Sequence, residues 1–147
     1  MVYFDSSAIV KRYILEAGSD VVSNIYNRVL RGEALLSFSL WNIGEVLGVL
    51  DRYYRRGWLC EEEYRLARYQ FIEETIRFLK LGVLRLIPIR SKLLAQTWKL
   101  IERYHIYEAD ALQIVSAKLI NAQEFYTGDQ KLYEVAIKEG LNSRLLG

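Results

Sequence analysis

Acidic residues follow two of the short apolar segments in this 147-residue sequence. Asp5 comes directly after Val2–Phe4, and Asp129 comes shortly after Glu124–Thr127. Each acid could cap a following helix, because an Asp side chain accepts hydrogen bonds from the free N–H groups of the first turn. Each could instead bind a metal ion through its carboxylate oxygens. Taken singly, neither position decides between a structural and a chemical role.

Two further acids lie in helical segments that are largely apolar. Glu45 lies within Trp41–Leu50, and Asp110 shares a helical stripe with Ile114 and Ala117. An ionised carboxylate on a largely buried helix costs free energy unless it is paired, neutralised or bound to a cation. No Lys or Arg lies three or four residues from either acid, so local salt bridges explain neither. Glu45 could also be the one solvent-facing residue of its helix, and Asp110 could lie in an N-terminal turn that favours acids.

Together the four acids form a set of hard oxygen ligands, which favours Mg²⁺ or Mn²⁺ with several bound waters. Zinc is not expected, since the sequence has one His and one Cys, in unrelated segments. A catalytic triad of His105 with Ser6 or Ser7 lacks a nucleophile-elbow sequence, and His105 is expected in a loop or at a helix end. Glycine-rich phosphate-binding motifs are absent.

The elements that must position these acids alternate between strands and helices. We expect strands at Val2–Phe4, Ala34–Phe38, Arg85–Ile89, Glu124–Thr127 and Ser143–Leu146. We expect helices from Asp5–Ser7 onward and at Val21–Leu30, Leu40–Arg52, Glu61–Lys80, Ser91–Tyr104, Glu108–Asn121 and Lys131–Lys138, with a break at Tyr53–Gly57. The alternation predicts an α/β fold with a mostly parallel sheet. Asp5 and Asp129 would then lie at the same sheet edge, as neighbours if their strands are adjacent at a switch in strand order.

Composition limits the class of protein without identifying it. The length suits one domain with a sizeable core, and a net charge of +2 permits an acidic partner such as nucleic acid but does not argue for one. The single Cys60 cannot form an internal disulfide. No apolar run reaches the roughly 18 residues of a membrane span, and the N-terminus lacks signal-peptide features. We therefore expect a cytoplasmic protein that does not enter a membrane.

Four segments resemble, in order, the motifs of PIN-domain nucleases, and in particular of the VapC-type toxins of toxin–antitoxin pairs. They are Val2–Tyr13, Ser39–Leu50, Glu108–Ala117 and Phe125–Ala136. The resemblance implies a PIN-like three-layer α/β/α sandwich with a mostly parallel sheet of four to five strands, as one domain over residues 1–147. The sequence departs from a minimal toxin at Tyr53–Leu84, which is long for this type.

The resemblance also implies which residues act and on what. It makes Asp5, Glu45, Asp110 and Asp129 the catalytic, metal-binding quartet, supported by Ser6, Ser7 and Thr127. It implies Mg²⁺ or Mn²⁺ as cofactor, cleavage of single-stranded RNA, a VapB-like antitoxin and a homodimer. Cations that could contact the RNA backbone are Lys11, Arg12, Arg52, Arg55, Arg56 and Lys131. Two alternatives remain open: a non-catalytic interaction module, and a metal-dependent DNA nuclease or phosphatase that uses the same acids.

Overall fold

A five-stranded parallel sheet forms the centre of the fold in the computed structural model, which describes residues 1–147. The strands are β1 (Val2–Phe4), β2 (Leu36–Ser39), β3 (Leu84–Ile87), β4 (Glu124–Thr127) and β5 (Ser143–Leu145). The helices are α1 (Ser6–Tyr13), α2 (Ser19–Leu30), α3 (Leu40–Arg55), α4 (Glu61–Leu81), α5 (Ser91–Tyr104), α6 (Glu108–Leu119) and α7 (Gln130–Lys138). The strand order is β3-β2-β1-β4-β5, and every neighbouring pair is parallel. The sheet is therefore entirely parallel, where the sequence predicted a mostly parallel one.

Helices cover both faces of the sheet, because successive side chains of each buried strand point to opposite sides. Val2 and Phe4 of β1 belong to a core shared with α1, α2, α3 and α4. Tyr3 belongs to a second core with α5, α6 and α7, where it stacks on Phe125 of β4 at 5.5 Å between ring centroids. Strands buried on both faces are typical of parallel sheets. The predicted three-layer α/β/α architecture is confirmed.

Three helices that start at the carboxyl edge of the sheet are each capped by the side chain of the residue directly before them. The Asp5 side chain caps α1 and the Asp129 side chain caps α7, each by accepting a backbone N–H bond. Ser39 caps α3 in a capping box, in which the Asn42 side chain accepts a hydrogen bond from the Ser39 N–H. The capping roles considered for Asp5 and Asp129 are thus real, and they fix where both carboxylates lie.

Several predicted boundaries differ from the structure. β2 begins at Leu36, and β3 begins at Leu84 and ends before Pro88, because the pairing of Leu36 with Val2 and Leu84 sets the register. The predicted break at Tyr53–Gly57 is too early: α3 continues to Arg55, and the turn comes at Gly57, whose φ of 76° favours glycine.

The helical spacing of Tyr64, Phe71, Ile72, Ile76 and Leu79 predicts one apolar stripe along α4, and the structure confirms it only in part. Phe71 is buried as predicted, but Ile76 and Leu79 are exposed, and the buried face is completed by Ala67, Thr75 and Phe78 among others. The chain contains no helix of the length and hydropathy needed to cross a membrane.

Candidate active site

The strand order reverses between β1 and β4, which lie side by side at the middle of the sheet. β1 pairs with β2 on one side and with β4 on the other. Ligands of open parallel α/β sheets bind at the carboxyl edge beside such a reversal. Asp5 directly follows β1 there, and Asp129 follows β4 after one intervening residue. The condition under which Asp5 and Asp129 would be neighbours, adjacency of β1 and β4 at a switch in strand order, is therefore met.

Asp5 is a buried carboxylate held by three hydrogen-bond donors. Oδ1 accepts from the Ser7 hydroxyl at 2.7 Å and from the Ala8 N–H at 2.9 Å, while Oδ2 accepts from the Thr127 hydroxyl. Burial raises the pKa of Asp5 to about 6, the nearby Asp110 charge adds to the increase, and the three hydrogen bonds oppose it. Asp5 therefore keeps an ionisable carboxylate in a fixed direction at a free-energy cost that a bound cation would relieve.

Ser7 and Thr127 link the loops that follow β1 and β4. The Ser7 hydroxyl accepts the Gly128 N–H at 2.7 Å, and the Thr127 hydroxyl accepts the Asp129 N–H at 3.0 Å. Both hydroxyls donate to Asp5, so each bridges the two loops. A Cβ at Gly128 would lie 3.1 Å from Lys11 Cε and 3.4 Å from Ser7 Oγ, so a side chain at this position would crowd α1 and require the Lys11 side chain to move.

Asp110 is the electrostatic centre of the cluster. It lies in the first turn of α6 and is half-buried. Burial raises the pKa of Asp110 to about 6, the charges of Asp129 and Glu45 raise it further, and the Lys131 ammonium acts in the opposite direction. Asp110 also contributes to the raised pKa of Asp5. The structure thus brings all four predicted acids within electrostatic reach of one another through Asp110.

Glu45 lies in the second turn of α3 and is half-buried. Its Oε1 atom accepts the Ser6 hydroxyl at 2.7 Å, and the Asn42 amide lies 3.5 Å from the same oxygen. The Ser6 oxygen accepts from Asn42 Nδ2 at 2.7 Å. Ser6 therefore contacts the quartet through Glu45, whereas Ser7 and Thr127 contact it through Asp5.

Asn42 and Gln113 were missed by the sequence reasoning. Both are almost fully buried, and Asn42 Nδ2 donates to Gln113 Oε1 at 2.9 Å. A usable signal was present, since each is an uncharged polar residue in an otherwise apolar helical segment that also carries one of the acids. Buried amides are almost always hydrogen-bonded.

Two of the predicted cations lie at the cluster. Lys11 packs beside Gly128 and pairs with Glu16 at 3.2 Å. Lys131 donates to the backbone carbonyl of His105 at 3.2 Å and is close enough to Asp110 to affect its pKa. His105 itself is exposed and ends α5, as expected for a helix-end residue.

The other predicted cations lie elsewhere. Arg12 binds both carboxylate oxygens of Glu74, at 3.0 and 3.1 Å, which ties α1 to α4. The remaining three are in or next to the last turn of α3, two to three helical turns beyond Glu45. Arg52 is exposed, Arg55 pairs with Asp51, and Arg56 lies over the Trp58 ring. Contact of these four residues with RNA stays a prediction.

The donor set fits a hard divalent cation. In this structure no three carboxylate, His or Cys side chains are grouped closely enough to form a ready-made metal site. Mg²⁺ commonly uses only one or two protein carboxylates and fills its other positions with water and substrate phosphate. Buried carboxylates with raised pKa values and few cations nearby match that requirement.

Comparisons with known proteins agree with this geometry. The family model of the PIN domain matches residues 2–138, which includes all four acids. Comparison with curated proteins gives no significant sequence match.

Solved structures share the fold at low sequence identity. VapC20 of Mycobacterium tuberculosis, described as a toxin that cleaves the sarcin–ricin loop, is 16% identical with a TM-score of 0.66, over 96% of each chain. FitAcB of Neisseria gonorrhoeae is 16% identical with a TM-score of 0.64, over 97% of this chain and 96% of that one. VapBC2 of Rickettsia felis, solved with a promoter DNA fragment, is 14% identical with a TM-score of 0.60 over the whole of both chains.

Proposed function

The chain belongs to the PIN domain family of nucleases, and from this premise we propose that it is a metal-dependent endoribonuclease that cleaves single-stranded RNA. The observation that supports the proposal best is the placement of Asp5, Glu45, Asp110 and Asp129 at one sheet edge. We further propose that residues 1–147 act as one domain, since both cores share a single sheet.

Asp5 and Asp110 are the residues that would hold a Mg²⁺ or Mn²⁺ ion directly. Such an ion, when bound, lowers the pKa of a coordinated water and neutralises charge that develops on the phosphate. Glu45 and Asp129 would orient the attacking water, and Lys11 or Lys131 would contact the RNA backbone. In-line attack of this water on the phosphorus breaks the bond to the 3′-oxygen. The products then carry a 5′-phosphate and a 3′-hydroxyl.

A cleavage assay with matched substrates tests the proposal. Labelled single-stranded RNA, DNA of the same sequence and a small phosphomonoester are incubated with the protein in Mg²⁺, Mn²⁺ or EDTA. We expect cleavage of the RNA alone, only with metal, and its loss in Asp5→Asn and Asp110→Asn. Asp20→Asn, which neutralises an exposed acid in the first turn of α2, is the control and should retain activity. RNA cleavage that persists in EDTA contradicts the metal mechanism, and preference for DNA or for the monoester supports the alternative enzymes.

We propose that the biological role is that of a toxin held inactive by a VapB-like antitoxin. Similarity to chains solved in toxin–antitoxin complexes supports this role. A groove of about 400 Å³ between the end of α1 and the α3–α4 turn, lined mostly by apolar residues such as Ile14, Trp58 and Leu66, could receive an antitoxin segment. An Arg or Lys from that segment would be attracted to the acidic cluster. Co-expression of the neighbouring gene product should yield a complex without RNA cleavage, and failure of that product to bind or inhibit contradicts this role.

A further inference from the structure

A chain of buried polar side chains runs from β1 to Glu45, and the mechanism proposed above does not use it. Tyr3, Asn42 and Gln113 are each no more than 2% exposed. The Tyr3 hydroxyl donates to Gln113 Oε1 at 2.7 Å, and Asn42 Nδ2 donates to the same oxygen at 2.9 Å. Asn42 Nδ2 also donates to Ser6 Oγ at 2.7 Å. These contacts connect the buried interior to the edge that carries the acids.

Hydrogen bonds to backbone groups determine which atom of the Asn42 and Gln113 amides faces the other side chains. Asn42 Oδ1 accepts the Ser39 N–H at 2.7 Å, so the amide nitrogen of Asn42 must face Ser6 and Gln113. Gln113 Nε2 donates to the Ala109 carbonyl at 3.3 Å, so Gln113 presents its oxygen to Tyr3 and Asn42. Neither amide can turn over without losing a backbone partner and placing two like atoms together.

The orientation of the Asn42 amide determines where the Ser6 hydroxyl proton points. An amide nitrogen has two hydrogens, and Asn42 gives one to Gln113 and one to Ser6. Because the Ser6 oxygen accepts a hydrogen bond, its single proton is directed to Glu45 Oε1, which is 2.7 Å away. Oε1 thereby has a fixed donor, whereas Oε2 has no donor within the protein and is left for the attacking water.

We propose that Asn42, Gln113 and Tyr3 are positioning residues that act through Ser6 to hold the Glu45 carboxylate in one orientation. This inference rests on the proposed function, in which Glu45 orients the water. Buried polar side chains that served only the stability of the core could form their hydrogen bonds with one another. They would not need to reach an acid at the sheet edge.

Replacing one hydrogen-bond donor by an acceptor tests this series of hydrogen bonds through the kinetics of RNA cleavage. Asn42→Asp keeps the side-chain shape and the bond from the Ser39 N–H, but it replaces the donor to Ser6 by an acceptor. We expect kcat for RNA cleavage to fall tenfold or more with KM nearly unchanged, and Ser6→Ala to give a similar loss. The double variant Ser6→Ala/Asn42→Asp should lose no more than either single variant, because both changes remove the same hydrogen bond to Glu45.

Matched variants separate positioning from general damage. Asn27→Asp makes the same charge change at an exposed position of α2 and should retain activity. Ser6→Thr keeps the hydroxyl and should retain most activity. Equal activity of Asn42→Asp and Asn27→Asp, or additive losses in the double variant, overturns the inference.

A measurement on the metal-free protein keeps the test independent of catalysis. In the ¹⁵N–¹H spectrum, the two Asn42 side-chain amide protons should exchange slowly with solvent. Ser6→Ala should shift one of them strongly, whereas Gln113→Leu should shift the other. If neither proton responds to Ser6→Ala, the chain is not as proposed. A wild type that cleaves no RNA contradicts the proposed function, and this spectrum then still decides on the hydrogen-bond chain.

Discussion

Asp5 caps α1 and also belongs to the acidic cluster, and the two oxygens of its carboxylate serve both roles. Oδ1 accepts a hydrogen bond from the Ala8 N–H and so caps α1. Oδ1 also accepts a hydrogen bond from the Ser7 hydroxyl, and Oδ2 accepts one from the Thr127 hydroxyl. The cap fixes the carboxylate at the end of β1, beside the strand that carries Thr127. At the scale of the residue, helix capping is therefore part of how the site is placed.

The charge on Asp110 should destabilise the metal-free protein at neutral pH. The native pKa of about 6 lies above the value of about 4 expected in the unfolded chain, so the native state holds its proton more tightly between these values. Stability from this group is present below pH 4 and is lost as pH rises through 6. Asp110→Asn should thus raise the free energy of unfolding by about 1 kcal/mol at pH 7, since solvent partly screens this half-buried carboxylate, and by much less at pH 4, where the native carboxyl is protonated.

Urea unfolding of the wild type and Asp110→Asn in EDTA at both pH values measures this difference. Added Mg²⁺ should stabilise the wild type more than the variant, because an ion that binds only the native state raises its stability. An Asp110→Asn protein that is less stable than the wild type at pH 7 contradicts the prediction.

The Thr127 hydroxyl should set the lower pH limit of activity. Its hydrogen bond to Asp5 opposes the effect of burial on the pKa of Asp5, so Thr127→Val should move that pKa above 6. The acid limb of the pH profile of kcat/KM should then shift to higher pH. Thr127→Ser keeps the hydroxyl and serves as the control; an unshifted acid limb in Thr127→Val would show that ionisation of Asp5 does not limit the reaction.

At the scale of the element, α1 is held against α4 by a buried carboxylate. Glu74 accepts two bonds from Arg12, one from the Tyr13 hydroxyl at 2.9 Å and one from Arg77 at 3.3 Å. Since Asp5 caps the first turn of α1, this attachment also supports the site from the opposite end of that helix. It gives Arg12 a structural role beside the RNA contact predicted for it.

Loss of the Glu74 charge should therefore destabilise the fold. Glu74→Gln leaves the largely buried Arg12 guanidinium without its counter-ion, and we expect the free energy of unfolding to drop by about 2–4 kcal/mol. Glu73→Gln is the matched control on the adjacent residue, because the Glu73–Arg77 pair is exposed and should contribute less than about 1 kcal/mol. Chemical denaturation compares them, and equal effects of the two substitutions would contradict a supporting role for Glu74.

The elements were predictable where local signals were strong. α5 and β4 match the predicted bounds, since α5 begins three residues after Pro88 and Glu124–Thr127 is a short, largely apolar run before Gly128. The predicted bounds of β2 and β3 differ from the observed ones, because the register of these strands depends on pairing with distant strands, which the local sequence does not determine. The four acids could be found as charges in apolar surroundings, whereas Asn42 and Gln113 act through partners that only the tertiary fold brings together.

At the scale of the whole molecule, α4 leaves an apolar surface uncovered. Leu66, Tyr69, Ile76 and Leu79 are each at least 40% exposed on this one helix. Exposed apolar patches of this kind commonly mark protein contacts. The surface agrees with the homodimer that the resemblance implies, and it lies within Tyr53–Leu84, the segment in which the sequence is long for a minimal toxin.

Light scattering at micromolar concentration should give the mass of a dimer. Ile76→Glu, with its charge on this surface, should yield a monomer without loss of secondary structure. Ile137→Glu is the control, because Ile137 is exposed to a similar degree, 47% against 46%, but lies on α7 in the opposite layer. A monomeric wild type, or dissociation by both substitutions alike, contradicts a dimer through α4.

The hydrogen bond from Thr127 to Asp5 joins residues that are 122 positions apart in the chain. During translation, β1 is synthesised well before β4, so the two strands can pair only after the segments between them have been made. The acidic cluster therefore cannot assemble until the segment that carries Asp129 has been made.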